Sequence, residues 1–462
     1  MSSPRPLDFL TTGAWIVLAL AVLSSAAYLA WPVPSRPGRQ FWLFSPPNEQ
    51  HYRAALGRWN AAQPNPADHA NLTLIHFQAL ERRLVAAFTV DAPVADLVET
   101  ESLMMARAFG APLADIGFVD LTDRLRAEGL FDRINAPSFS VWTTRGRTFA
   151  LPHDVHPCLL AYRADLVEAA GIDVSTIETW DDFRRVLGPL IRDLDGDGRP
   201  DRYLLNFWET NRDLVTVLLR QAGAQFFDAD QRLELDTARN AHVLASLVSW
   251  IAGPGRFCVD APEFTAGGDA MRLDGTVLCS ILPDWQAGTW KNYLPGLGGK
   301  VKLMRLPAWE PGGRRTSVWG GTSLGITKAA PDFERSWALA KYLYLSPQVA
   351  ESLFRATSII SPVKELWTLP FYHEPDPYFS GQKVGALYIA EAPHVPERRS
   401  SPHAAFVMDR MVTVLSALKA RAVAQGQFDA PALLPEARRL LALAQRDLSV
   451  RIDRNVLAGS AP

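Results

Sequence analysis

Cysteine is scarce in this chain: Cys158, Cys258 and Cys279 are the only three in 462 residues. Three thiols cannot build a disulfide framework, and no CxxC or Cys/His spacing offers a zinc site. A Cys258–Cys279 bridge stays open as a pairing, although Cys279 sits in Thr276-Val-Leu-Cys-Ser-Ile281 and reads as a small core residue. Charge of one sign is also lacking. The 47 Lys and Arg nearly balance the 49 Asp and Glu, leaving a formal net charge of −2. With no run of Lys or Arg to make a basic patch, there is no case for nucleic acid.

Long hydrophobic runs are absent but for one. No charge occurs from Phe9 to Ser35, and Ala14–Trp31 is an 18-residue, mostly apolar run. That is enough to span a bilayer and longer than a usual signal core. It is expected to be an uncleaved transmembrane anchor, with a cleaved signal ending near Ser25-Ala26-Ala27 as the other reading. No cysteine stands here for lipid attachment, and Arg5, Arg36 and Arg39 do not settle orientation. Three prolines make residues 32–38 a linker. Residues 1–37 therefore stand apart from the folded part.

What is present is a globular composition, 48% hydrophobic and 21% charged. The length exceeds one ordinary core, so two lobes are expected. Fourteen tryptophans are many. Most belong in a core, but indole faces also pack on the C–H faces of sugars.

The folded part opens with a strand at Gln40–Phe44, then the loop Ser45-Pro-Pro-Asn-Glu-Gln50 and a helix through Trp59. A strand at Leu72–His76, a helix around Gln78–Ala87 and a strand at Ala95–Val98 follow. This alternation predicts a parallel sheet flanked by helices, an α/β fold. Ligands of such sheets sit outside the carboxyl ends of the strands. That places Ser45, Asn48 and Glu49 at a mouth, together with Glu99 and Glu101. Paired carboxylates also suit a glycosidase, but no second feature supports one.

Phe149–Tyr162 reads as one extended strand carrying His153, Asp154 and His156. A short helix closed by Gly171 and a second helix capped by Thr179 follow it. On a strand, a spacing of three sends His153 and His156 to opposite faces, against a shared metal. The segment Phe149–Trp180 resembles the inter-lobe crossing of the extracellular solute-binding proteins of ABC importers, the family that includes maltose-binding protein. Two later stretches resemble it too. Thr276–Leu282 followed by Pro283-Asp284-Trp285 matches the family's strand and cleft tryptophan, and Val318-Trp319-Gly320-Gly321-Thr-Ser-Leu-Gly-Ile326 matches its return crossing. The ordered motifs span about residues 40 to 450.

The resemblance implies a two-lobed periplasmic-binding-protein-like fold with discontinuous lobes and a hinge, preceded by the transmembrane helix. Lobe 1 is expected to be 38–153 plus 272–317, and lobe 2 to be 154–271 plus 318–462, with crossings near Asp154, Ala270 and Val318. It implies no enzyme but a carbohydrate-binding importer component, a monomer outside the cytoplasmic membrane, or a secreted one if the first segment is cleaved. Its partner is an ABC permease, or a signalling protein in the alternative reading. Trp285 carries over as a stacking residue and Asp284 as a hydroxyl acceptor. Gly320 and Gly321 let backbone approach the ligand. Asp154 lies at the crossing, and His156 falls where the family places a polar ligand contact. Trp142, Trp208 and Trp319 offer further stacking faces.

Two motifs lie outside that reading. Asp193, Asp195, Asp197, the Arg199 carbonyl and Asp201 follow the calcium-loop pattern around Gly198. The twelfth position is Leu204, so another ligand, such as Asp181 or Asp182, is needed to complete a structural calcium site. Gly321-Thr-Ser323-Leu-Gly325 matches G-x-S-x-G, with His373, Asp376, His394 and His403 downstream. A serine hydrolase needs that serine on a strand-to-helix turn, whereas Leu324–Thr327 reads as extended.

Overall fold

The computed structural model describes residues 11–30, 37–90, 92–198, 200–228 and 231–453. Most of the expected linker, residues 32–36, lies outside them. Ten strands build two five-stranded sheets. In chain order they are β1 (Arg39–Leu43), β2 (Ala70–Leu74), β3 (Leu97–Glu101), β4 (Leu151–Pro152) and β5 (Cys158–Arg163), then β6 (Tyr203–Asn206), β7 (Cys258–Val259), β8 (Val277–Pro283), β9 (Val301–Arg305) and β10 (Thr322–Ile326). The first sheet runs β2-β1-β3-β10-β4 and the second β9-β5-β8-β6-β7.

Sequence pattern explains these strands. Phe41 and Leu43 of β1 point into the core while its alternate residues stay partly exposed. All seven residues of β8 and all six of β5 are buried, as central strands covered on both faces must be. The helices used below are α1 (Thr12–Ala30), α2 (Pro46–Ala61), α3 (Phe77–Val90), α4 (Ser102–Ala108), α5 (Trp180–Leu187) and α6 (Arg212–Gln221), then α7 (Ala238–Ile251), α8 (Asp284–Tyr293), α9 (Phe333–Leu345), α10 (Pro347–Thr357), α11 (Ala404–Gln425) and α12 (Ala430–Asp453). Several start at a side-chain cap. Ser45 accepts from the Asn48 N–H, and Thr179 with Asp182 forms a capping box.

Both lobes are discontinuous, but the expected boundaries need correction. β8 and β9 pair with β5 and β6, not with the first sheet, so 272–317 belongs to the second lobe. The helix at Ala266–Asp274 merely returns the chain to a strand parallel to β6; there is no crossing near Ala270. β10 pairs with β3 and β4, so the chain regains the first sheet after Val318. α9 shares a core with Phe41, Leu97 and Leu324, and that core continues onto Leu159, Leu282 and Leu303 of the second sheet. The chain crosses once more at residues 396–403, because α11 and α12 bury Val407, Met411, Leu415, Leu433 and Leu441 against α6 and α7. The crossings are therefore 153–157, 306–321 and 396–403.

Three smaller expectations are also settled. Leu205 pairs with Cys258 on one side and with Cys279 on the other. The cysteines thus stand two strand spacings apart, about 9–10 Å, too far for a disulfide, and all three thiols are free. Ser323 is fully buried inside β10, where it shares a 3.0 Å hydrogen bond with Thr100; it is no nucleophile elbow. Trp142 lies in the core beside Phe149 and Met105 and offers no stacking face.

On α1, Trp15, Ile16, Val17, Leu18, Leu20, Val22 and Leu23 are exposed. Its side chains are described from Thr12 to Ala27, and among the described residues no helix is long and apolar enough to cross a membrane.

Candidate functional site

The strand directions bring the chemistry to one place. β1, β2 and β3 are parallel, and β10 begins at Thr322 opposite Glu101 at the end of β3. In the second sheet β8 ends at Pro283 opposite Cys158, where β5 begins. The carboxyl ends of β3, β4, β6 and β8 therefore converge on the first two crossings, the location expected of a ligand site.

At its centre lies a buried charge cluster. His156 Nδ1 stands 2.6 Å from Asp284 Oδ1, and its Nε2 stands 2.9 Å from Asp154 Oδ2. His153 Nδ1 reaches the same Asp154 oxygen at 3.1 Å. Burial works against a charged imidazole, but the two carboxylates outweigh it and push the His156 pKa up to about 10. Burial would likewise raise Asp154; His156 and His153 hold it well below the usual carboxylate range. His156 is thus an imidazolium donating from both nitrogens. The expected divergence of His153 and His156 fails because residues 153–157 are not strand and His156 adopts φ +54°.

This packing corrects several expected ligand contacts. Asp284 is fully buried: Oδ1 also accepts from the Trp285 N–H at 2.7 Å and Oδ2 from the Ile360 N–H at 2.9 Å. It has no face left for a sugar hydroxyl. Asp154 accepts the Thr322 N–H at 3.0 Å and is buried with it. Glu99 is buried too, held by Asn48 at 3.1 Å and the Tyr344 hydroxyl at 3.2 Å. Glu49 pairs with Arg53 on the side of α2. Glu101 stays half-buried as the N-cap of α4, accepting from Leu103 at 2.7 Å, and burial raises its pKa. Gly320 and Gly321 adopt φ +98° and +137°. There a Cβ would lie 3.0 Å from His156 Cδ2 or 2.9 Å from an Arg398 nitrogen, so their freedom serves close packing of the crossings.

The aromatic side of the mouth is open. Trp285 is half-buried, its Nε1 donating to the Trp319 carbonyl at 3.0 Å. Trp319 meets it edge-on at 5.8 Å but is only 9% exposed. Phe264, 66% exposed, lies nearly parallel to Trp285 at 6.1 Å. Lys419 of α11 sits 4.0 Å over the ring of half-buried Trp208. Beside it, a cavity of about 420 Å³ is lined by Glu209, Ser416, Lys419 and Ala420, and the buried Glu209 Oε2 has no hydrogen-bond partner in the protein.

Sequence reasoning missed Glu209, Phe264, Lys419 and Arg398. Glu209 was within reach, since it follows Trp208 just past the carboxyl end of β6. Phe264, Lys419 and Arg398 come from segments whose place at the mouth depends on topology alone. Two other open cavities, of about 430 and 460 Å³, share His242 and Trp309. They lie along α7, away from the converging strand ends, and are not assigned to the site.

In the acidic loop, oxygens of Asp193, Asp195 and Asp197 lie within 4.8 Å of one another on the surface. Asp193 also accepts from the Gly196 and Gly198 N–H groups, and Asp201 from Leu194 at 2.6 Å. Arg199 lies outside the described residues. Asp182 is committed to Thr179 and Arg185, so it cannot complete the shell.

Comparison with known proteins gives a consistent picture. A family model for bacterial extracellular solute-binding proteins matches residues 46–350. The arabinooligosaccharide-binding protein of Halalkalibacterium halodurans is 25% identical over 347 residues, covering 73% of this chain and 74% of that protein. The sugar-binding protein MalE of Xanthomonas citri superposes with a TM-score of 0.70 at 17% identity, over 90% of this chain and all of that one. A binding protein associated with an ABC transporter of B. animalis subsp. lactis Bl-04, solved with beta-1,6-galactobiose, gives 0.64 at 16% identity, over 89% of this chain and 98% of that one.

Proposed function

Since the chain belongs to the family of bacterial extracellular solute-binding proteins, we infer that it is the substrate-binding component of an ABC importer and takes a sugar or oligosaccharide between its lobes. One observation carries the carbohydrate reading. The half-buried Trp285 and exposed Phe264 form an aromatic surface at the converging strand ends, and past the carboxyl end of β6 Glu209 pairs through Oε1 with Lys419 while its buried Oε2 has no partner. Apolar ring faces with a lone acceptor suit a polyhydroxylated ring. Two lobes closing on such a ligand are stabilised in the closed form by contacts from both sides. The family binds rather than transforms its substrate, and Ser323 is placed for packing.

Thermal unfolding against arabinooligosaccharides, beta-1,6-galactobiose and maltotriose tests the reading. A bound sugar at about a hundredfold over its Kd stabilises by about 2.7 kcal/mol, so at least one should raise the melting temperature by several degrees. No shift with a broad panel of sugars would refute it.

The apolar, uncharged stretch from Phe9 to Ser35, with its exposed apolar side chains on α1, supports an anchor holding the two lobes as a monomer outside the cytoplasmic membrane, next to the permease. Fractionation should leave the protein in membranes after an alkaline wash; release into the soluble fraction would favour a cleaved signal. The Asp193–Asp197 loop and Asp201 carry the calcium reading, with oxygens expected at about 2.3–2.6 Å from the ion. A chelator should lower the melting temperature, and Asp195→Ala should abolish that sensitivity. An unchanged melting curve would leave an acidic turn.

A further inference from the structure

Trp285 is tied to the hinge twice. Its backbone N–H donates to Asp284 Oδ1, and Asp284 is gripped by His156 of the first crossing at 2.6 Å. Its indole N–H donates to the Trp319 carbonyl of the second crossing at 3.0 Å. The crossings meet at the same spot: a Cβ on Gly320 would stand 3.0 Å from His156 Cδ2 and 3.2 Å from Trp285 Nε1.

The charged part spans both sheets. Thr322, the first residue of β10, donates its N–H to Asp154. Asp154 holds His156, His156 holds Asp284, and Asp284 begins α8 at the end of β8. His156 keeps φ +54°, an uncommon conformation for a residue other than glycine, though one that histidine adopts more readily than most. Bending at residues 153–157 changes the separation of Asp154 and Asp284. Short, buried, charge-assisted bonds do not stretch to follow such a change; they hold or they break.

The geometry points to His156 as a positioning residue that fixes the Trp285 indole to both crossings, so that a carbohydrate on Trp285 and the angle between the lobes are set together. This rests on the carbohydrate reading of the cleft. The ligand platform thus belongs to the hinge as much as to the second lobe. A sugar touching it favours one hinge angle by the difference in its contact energy between the two arrangements.

The test uses the full chain in detergent, with nitroxides at Ala54→Cys in α2 and Arg446→Cys in α12. The three native cysteines are buried and stay unlabelled. Without sugar, His156→Gln should broaden the inter-lobe distance distribution or move it to longer distances. With arabinooligosaccharides, it should weaken binding about tenfold, and its effect should not add to that of Trp285→Phe. An unchanged distance distribution in the sugar-free protein, or strictly additive effects, would overturn the inference. If the single variant does not fold, His156→Gln with Asp284→Asn restores the cluster's net charge and carries the same measurements. A wild-type chain that binds no sugar refutes the carbohydrate reading, and the sugar-free distances still decide the role of His156.

Discussion

Replacing Asp284 with alanine is expected to cost about 3–5 kcal/mol of folding stability, the usual range for breaking a buried ion pair from one side. The side chain is completely buried and accepts from His156, the Trp285 N–H and the Ile360 N–H. Its loss strands two buried amides and leaves His156 with Asp154 as its charge partner. The pH dependence follows from the His156 pKa, raised from 6.5 to about 10 in the folded state. A pKa raised by folding contributes stability that is complete below about 6.5 and is lost as pH climbs through about 10. The gap between wild type and Asp284→Ala should therefore be widest near pH 6 and shrink toward pH 10. Urea unfolding at both values checks it. A gap under about 1 kcal/mol, or one that widens with pH, would show that the cluster is not charged as described.

Trp285→Ala should act the other way round, on ligand more than on fold. Losing an exposed aromatic contact costs about 1–3 kcal/mol of binding, while truncating a fully buried Trp costs about 3–5 kcal/mol of stability. Trp285 is half-buried and its side chain has one polar tie, to the Trp319 carbonyl, so its stability loss should fall well short of that range. Trp337, 1% exposed, supplies the buried comparison. Calorimetric titration with arabinooligosaccharides and thermal unfolding on the same variants separate the two effects. Intact affinity with badly lowered stability would make Trp285 a core residue.

Much of the fold was legible, and the reasons are local. The strand–helix alternation after Gln40 gave the first sheet, and the resemblance of Val318-Trp319-Gly320-Gly321 to the family's return crossing marked the second crossing. Sheet membership was not legible. β8 and β9 carry the same apolar pattern whichever sheet receives them, and only the register with β5 shows where they go. The third crossing, near Arg398, carries no pattern of its own. Reading the site failed at its charged residues. A sequence shows that Asp154, His156 and Asp284 are polar, but not that they satisfy one another in a buried cluster.

The return of α11 and α12 to the second lobe has a consequence for the order of assembly. Residues up to about 306 already supply every strand of the second sheet, yet the helices that cover Leu244 and Leu247 of α7 come only from residues 404–453. A chain leaving the ribosome cannot seal that lobe until its end has emerged. The first sheet likewise waits for β10 to slot between β3 and β4. Neither half can finish on its early segments alone. A polypeptide built this way stays open through most of its synthesis, the condition in which a secretion pore can still thread it.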